Sequence, residues 1–464
     1  MSVCRQWRHL GSEFLYRCVY FSNTMRLISL CTSLDNSSSV STTTTSSHGW
    51  WTRRIHLTAD HRSLRNTPSD RELEKALVSI IRHCPNVEIF VIEQPLGSAF
   101  GPVIDALATH AFRNLHTVCW TIPGAGLAKV IWAFNSLPHI VAAHVGVDTA
   151  VPANQEIAHL GSASDLHLKL PYLQQLSLSG YVHQLSEQVA GWDLPSLRSF
   201  SISTPTTEEH DRPDIEEFLK HHGPSLLLLD LNLKLDVDVP VILDLCPNLV
   251  TFAFNADWPI RRHPPSLVNR PHQRITTIGL YGLTHAFGVR STGAMGITRY
   301  NDSNIAALNR SNFPQLQRIR ALSRSMLKDL NDENGPSTVN GGYERWNKWW
   351  NACAGAGIRL EDCTGQTLGT LPPEEGSEDD SGGEEDDSES EIGDEDEDDL
   401  EDGEEEEEDS DEWGSALEDE ADYPLQVPVA LSELIQEVRA MNEGRDEALI
   451  NRVRIPRPQS PWGS

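Results

Sequence analysis

The chain has no apolar run of the ~18–20 residues that a transmembrane helix needs. Its first residues include Arg5, Arg8 and Glu13 and hold no apolar signal core, so secretion is not expected and an intracellular site is (cytoplasm, nucleus or both). Cysteine pairing is also missing. Cys4, Cys18, Cys31, Cys84, Cys119, Cys246, Cys353 and Cys363 form no C-x-x-C and stand near no His pair at zinc spacing. They are expected as reduced, mostly buried thiols, with no metal and no cofactor.

Positive charge is scarce. Of the 464 residues, 37 are Lys or Arg and 68 are Asp or Glu, for a net charge of −31. Between Glu374 and Asp422 lie 31 of those acids and no Lys or Arg, which leaves 37 acids against 37 bases elsewhere. A neutral body with one polyanionic segment lacks the basic surface of a general nucleic-acid binder. Catalytic signatures are missing as well. Gly124-Ala125-Gly126-Leu127-Ala128-Lys129 does not complete a phosphate loop, and no G-x-S-x-G, H-E-x-x-H or kinase set occurs. His221-His222 has no third ligand nearby in sequence and is expected as imidazolium at a helix C-terminus. The chain is not expected to be an enzyme.

What the sequence does contain is a repeat. A phrase close to Pro-x-Φ-x-x-Φ-x-Φ, where Φ is apolar, runs from Pro85 to Ile92 and returns in Leu115–Trp120, Pro138–Val145 and Pro171–Leu178. Further copies are Pro195–Ile202, Pro224–Leu231, Pro247–Phe254, Ile275–Leu280 and Pro314–Ala321. The first apolar positions are 28, 25, 33, 24, 29, 23, 26 and 41 residues apart. That centres on the leucine-rich-repeat period of ~20–29 residues. The closing Φ-x-Φ is a short strand with alternate residues facing inward. One unit cannot bury its apolar face alone, so neighbours must stack.

The longer segments between strands read as helices. Ser69 to Glu72 has capping-box form, and Leu73, Leu77, Ile80, Ile81 and Cys84 share one helical face before Pro85 stops it. Ile215, Phe218 and Leu219 do the same before Gly223-Pro224. The fold class expected is α/β: a leucine-rich-repeat solenoid of helix, turn and strand, its parallel sheet on the concave side. Trp346, Trp349, Trp350 and Cys353, with a last strand at Ile358-Arg359-Leu360, are expected to close the array. The usual ladder asparagine, three residues past the strand, is replaced by Pro95, Tyr181, Lys234 and Asp257, so an irregular solenoid is expected.

The N-terminus differs from the repeats. Val3, Cys4, Trp7, Leu10, Phe14 and Leu15 fit one amphipathic helical arrangement. The run Val3-Cys4-Arg5-Gln6-Trp7-Arg8-His9-Leu10, then Phe14-Leu15-Tyr16-Arg17, resembles the second half of an F-box. With the Cys-Pro-Asn starts at Cys84 and Cys246, the chain is similar to fungal F-box proteins with leucine-rich repeats. The L-P-x-E-type helix that opens an F-box does not precede Val3. The resemblance implies that Val3, Cys4, Trp7, Leu10, Phe14, Leu15 and Tyr16 dock on a Skp-family adaptor. It further implies a substrate-recognition subunit of a cullin-based ubiquitin ligase, with an unknown protein substrate held on the solenoid. The alternatives are a repeat scaffold without a ubiquitin role, or a binder of basic proteins through the acidic segment.

The expected division is a partial F-box-like segment at 1–34, a disordered Ser/Thr loop at 35–48 and the solenoid with its capping repeat at 49–370. A disordered polyacidic segment at 371–423 and a short helix with basic tail at 424–464 follow. Ser377, Ser381, Ser388 and Ser410 have acidic residues downstream, as acidophilic kinases favour. On the concave face, the middle strand positions are Val91, Cys119, His144, Ser177, Ser201, Asp230, Ala253, Gly279 and Arg320. Of these, His144, Ser177, Ser201, Asp230 and Arg320 are the polar substrate-binding candidates. The 41-residue spacing leaves an insertion at 284–298, expected as a partner loop carrying Phe287 and Arg290.

Overall fold

The computed structural model describes residues 15–21, 24–40, 48–58, 70–149, 160–205, 213–234, 237–258, 267–283, 295–322 and 342–361. The chain divides into two compact units, Met1–Gly369 and Thr370–Ser464, and every described residue belongs to the first. The polyacidic segment and the helix expected after it lie outside the described residues.

The first unit is α/β, with helices alternating with a 12-stranded parallel sheet whose strands follow strict chain order. The strands are β1 Cys18–Phe21, β2 Arg54–Leu57, β3 Ile89–Pro95, β4 Thr117–Ile122, β5 Ala142–Val147 and β6 Gln175–Gly180. They continue as β7 Ser199–Thr204, β8 Leu228–Leu233, β9 Thr251–Asn255, β10 Thr277–Tyr281, β11 Arg318–Ala321 and β12 Arg359–Glu361. Helices α1 Thr24–Val40, α2 Asp70–His83, α3 Phe100–His110 and α4 Leu127–Ser136 fall between the earlier strands. Helices α5 His183–Ala190, α6 Ile215–His222, α7 Val239–Leu245, α8 Met295–Ala307 and α9 Gly342–Gly355 fall between the later ones. Each strand pairs with the next, and α1 packs on α2, α2 on α3, α3 on α4, α5 on α6 and α6 on α7. This is a solenoid-like stack in which each repeat meets its neighbours.

The core follows the apolar phrase. Phe90, Ile92, Val118, Trp120, Leu176, Leu178, Phe200, Ile202, Leu229, Leu231, Phe252 and Phe254 are buried on the helix side of the sheet. Leu73, Leu77, Ile80 and Ile81 of α2 are buried against them, as are Ile215, Phe218 and Leu219 of α6. Asp214 caps α6, its Oδ1 accepting the Glu217 N–H at 3.0 Å. Trp346, Trp349 and Cys353 on α9 are buried, and α9 packs on β12, the last described strand.

Three expectations need correction. The solenoid is uneven in repeat length, but its strand register is not: among the described residues the one register shift between paired strands falls between Ile92 and Pro95 of β3. Two devices keep the phase despite unequal repeat lengths. One carbonyl per repeat accepts two consecutive N–H groups of the next repeat. Glu88 O accepts from His116 and Thr117, His116 O from Val141 and Ala142, and so on to Thr276 O from Gln317 and Arg318. A side-chain ladder also exists, placed before the strand rather than after it. Asn86 donates to Trp50 O at 2.9 Å, Asn114 to Pro85 O at 3.3 Å, Ser196 to Pro171 O at 2.6 Å and Asn248 to Pro224 O at 2.8 Å.

Second, the Ser/Thr segment does not begin as a loop at 35, because α1 runs on to Val40. Asp35 holds α1 to α2 by accepting from Ser79 Oγ at 2.9 Å and His83 Nε2 at 2.8 Å. Those two hydrogen bonds keep its carboxyl below the usual carboxylate range. Third, the insertion expected at 284–298 turns helical at Met295. Buried Asn301 and Asn304 of α8 each donate to Ala256 O at 2.8 Å, and Asn304 also to Trp258 O at 2.9 Å. Phe287 and Arg290 lie outside the described residues.

Candidate functional site

The face of the sheet opposite the helices carries the middle strand positions in one row. Register pairs Tyr20 with His56, His56 with Val91, Val91 with Cys119, Cys119 with His144 and His144 with Ser177. It continues through Ser201, Asp230, Ala253, Gly279 and Arg320 to Glu361. The candidates His144, Ser177, Ser201, Asp230 and Arg320 therefore stand on one line across neighbouring strands. Continuous register is what brings residues far apart in sequence together here.

At the centre, His144 Nδ1 lies 2.8 Å from Ser177 Oγ, and His144 Nε2 lies 3.4 Å from Ser179 Oγ. Ser177 Oγ also donates to Ser201 Oγ at 3.4 Å. Burial pushes the His144 imidazole down to about 4, so it is neutral at physiological pH. Burial, with the nearby Glu93 carboxylate, pushes the neighbouring Cys119 thiol up to about 12. Neither group is poised as a nucleophile or as an imidazolium. Tyr281 OH reaches across β9 and donates to Asp230 Oδ2 at 3.1 Å.

The two ends of the row carry residues that the sequence pattern missed. On β2, buried His56 sits between Arg54 Nη2 at 3.3 Å from its Nδ1 and Glu93 Oε1 at 2.7 Å from its Nε2. Arg54 can only donate, so Nδ1 accepts and Nε2 carries the hydrogen. Tyr20, 57% exposed, sets its ring edge-on to His56 at 5.1 Å. Tyr20, His56 and Glu361 occupy the same middle position as the repeats, and that position could have found them. Glu93 follows the register shift in β3 and had no such signal. At the far end, Arg320 Nη2 pairs with buried Glu361 Oε2 at 3.2 Å, and Arg359 Nη2 approaches Glu361 Oε1 at 3.5 Å.

Of the adaptor-binding candidates, Val3, Cys4, Trp7, Leu10 and Phe14 lie outside the described residues. Leu15 is 76% exposed and Tyr16 half-buried, directly before β1. Cys84, Cys119, Cys246 and Cys353 are buried free thiols, while Cys18 is exposed and Cys31 partly so. His222 corrects the imidazolium expectation: buried on α6 against Phe218, it is pushed down by burial and then by His221. No group of three or more His, Cys, Asp or Glu among the described residues is placed to hold a metal ion. No helix among them is long and apolar enough to cross a membrane.

A scan against protein-family models finds no match to this chain, and a search of curated proteins finds no significantly similar relative.

Proposed function

We propose that the chain is a non-catalytic leucine-rich-repeat protein whose open sheet face holds a partner protein. The observation that carries this is the unbroken open-face row, from Tyr20 to Glu361, of small and polar side chains in one register. A long, shallow, mixed-polarity strip suits a broad protein contact better than a small ligand, which needs a concave apolar pocket. The helix–turn–strand repeat, its period and the polar ladder at the Pro-Asn turns support the leucine-rich-repeat reading.

The same proposal assigns the partner-bound chain to a cullin-based ubiquitin ligase as its substrate-recognition subunit. Its support is the F-box-like run Val3 to Arg17, immediately before the first strand. Leu15, a large apolar side chain left exposed at that junction, suits burial against an adaptor.

The test is a pull-down of the full chain with purified Skp-family adaptor, beside a Trp7→Ala, Leu15→Ala double variant. Retention by the native chain and loss of most of it in the variant is the expected result. An adaptor that binds neither protein overturns the ligase assignment and leaves a repeat scaffold.

A further inference from the structure

The entry edge of the sheet, where the chain turns into each strand, carries a surface separate from the open-face row. The residue just before each strand is fixed through its carbonyl. His116 O accepts from the Val141 N–H at 2.8 Å, and Val141 O from the Gln174 N–H at 2.8 Å. Asn114 Nδ2 donates to Pro85 O and to Asn86 Oδ1, both at 3.3 Å, one turn back. Side chains on successive turns therefore stand side by side on a set backbone. Across the turns before β3, β4, β5 and β6 lies an open pocket of about 510 Å³, within the ~300–1,000 Å³ of ordinary binding clefts. Glu88, Arg113, His116, His139, Val141 and Tyr172 line it.

Three of those six side chains are rings, one from each of three neighbouring repeats. The His139 and Tyr172 rings meet at 5.6 Å with 38° between their planes. His116, one repeat earlier, has Thr117 Oγ1 3.0 Å from its Nδ1 and Glu88 Oε2 3.9 Å from its Nε2. Val141 stands between them. Tyr172 keeps 53% of its surface in solvent, and the same edge continues to Leu227 and Val250 before β8 and β9, 42% and 36% exposed.

The lining decides what fits. Charges of both signs are present: Glu88, its Oε1 3.4 Å from Arg53 Nη1, and Arg113, its guanidinium carbon 5.5 Å from the centre of the Phe112 ring. An anion would face Glu88 and a cation would face Arg113, so neither is selected. An aliphatic group would cover Val141 and gain no ring contact. A neutral ring gains both, with offset or edge-on contacts to His139 and Tyr172 and a planar guanidinium to stack on. The openness of the pocket favours a group carried by a macromolecule, because a free small ligand would stay largely in water there.

We infer that the pocket around Val141 receives one neutral aromatic side chain of a partner protein, a tryptophan, tyrosine or phenylalanine. Such anchors, seated in pockets, carry much of the energy of protein contacts. This is a second contact surface, and it stands or falls independently of the open-face row and of adaptor docking. The probe is N-acetyl-tryptophanamide, titrated into the full chain and followed by saturation-transfer NMR beside the corresponding leucine, lysine and aspartate amides. The tryptophan amide is expected to bind at least fivefold tighter than the other three. A His139→Ser, Tyr172→Ser double variant should abolish that preference. Both side chains are exposed, so its denaturation midpoint is expected to match the native one. Tyr172→Phe, which keeps the ring, should keep the preference, as should Tyr300→Ser, which removes an exposed ring on α8. Equal binding of the tryptophan and leucine amides by the native chain overturns the inference. So does a preference that survives the double variant, or tighter binding of the lysine or aspartate amide.

Discussion

Replacing Trp120 with alanine is expected to lower the unfolding free energy by about 3–5 kcal/mol, the range for emptying a large aromatic site in a core. Trp120, on β4, is fully buried. Its ring meets Phe100 of α3 edge-on at 5.4 Å and Phe134 of α4 at 5.9 Å. Phe134 in turn meets Trp192 edge-on at 5.6 Å, so one aromatic chain ties together α3, β4, α4 and the turn after α5. The indole Nε1 is buried and has no hydrogen-bond partner among the described residues, so the loss is one of packing. Urea titration followed by far-UV circular dichroism measures the cost. In a stack of repeats coupled through nearest neighbours, breaking one junction also splits the transition, and a fall in m-value should accompany the fall in stability. Trp120→Phe should recover most of the loss. Trp132→Ala, on α4 with its ring 44% exposed, is expected to stay within about 0.5 kcal/mol of native. A Trp120→Ala protein as stable as Trp132→Ala would overturn this account of the core.

The repeat was legible in sequence because its signal is an apolar period. Every inward position of the central phrase, from Phe90 to Ala321, is buried. The middle row was legible for the same reason, since alternation along a strand determines which face a residue takes. What was not legible has a physical cause in each case. The Asn86 and Asn248 ladder was sought after the strand, where it commonly lies, while this chain builds it in the turn before. Ser and Thr have modest helix propensity, yet α1 continues through them because Asp35 is tied to Ser79 and His83 by tertiary contacts that no local pattern records. The pocket around Val141 comes from the turns of four repeats, and only their stacking assembles it. Side chains within one repeat looked unremarkable. Side chains stacked across repeats are what give the surface its chemistry.

That distinction also sets the acid behaviour of the fold, and His144 makes it measurable. Its imidazole is pushed down to about 4 by burial on β5, where Cys119 stands on one side and Ser177 and Ser179 on the other. The unfolded chain returns the ring to its ordinary value near 6.5. Between those two values the unfolded state binds a proton that the folded state does not. Stability therefore falls as pH drops through 6.5, and the loss from this group is nearly complete near pH 4. Allowing for the part of the ring that still meets solvent, the loss is about 2–3 kcal/mol. His222 and His272, both pushed down by burial, act in the same direction. Asp35, whose carboxyl is held low, adds a loss at still lower pH. The native curve alone cannot isolate His144, but a His144→Gln variant can, because glutamine keeps hydrogen-bonding capacity toward Ser177 and does not titrate. Unfolding free energies of both proteins from pH 7.5 to 4.5 should converge as pH falls, the native protein losing about 2–3 kcal/mol more than the variant. Parallel curves would mean that the ring takes up its proton in place, and that the centre of the open face is wetter than its packing implies.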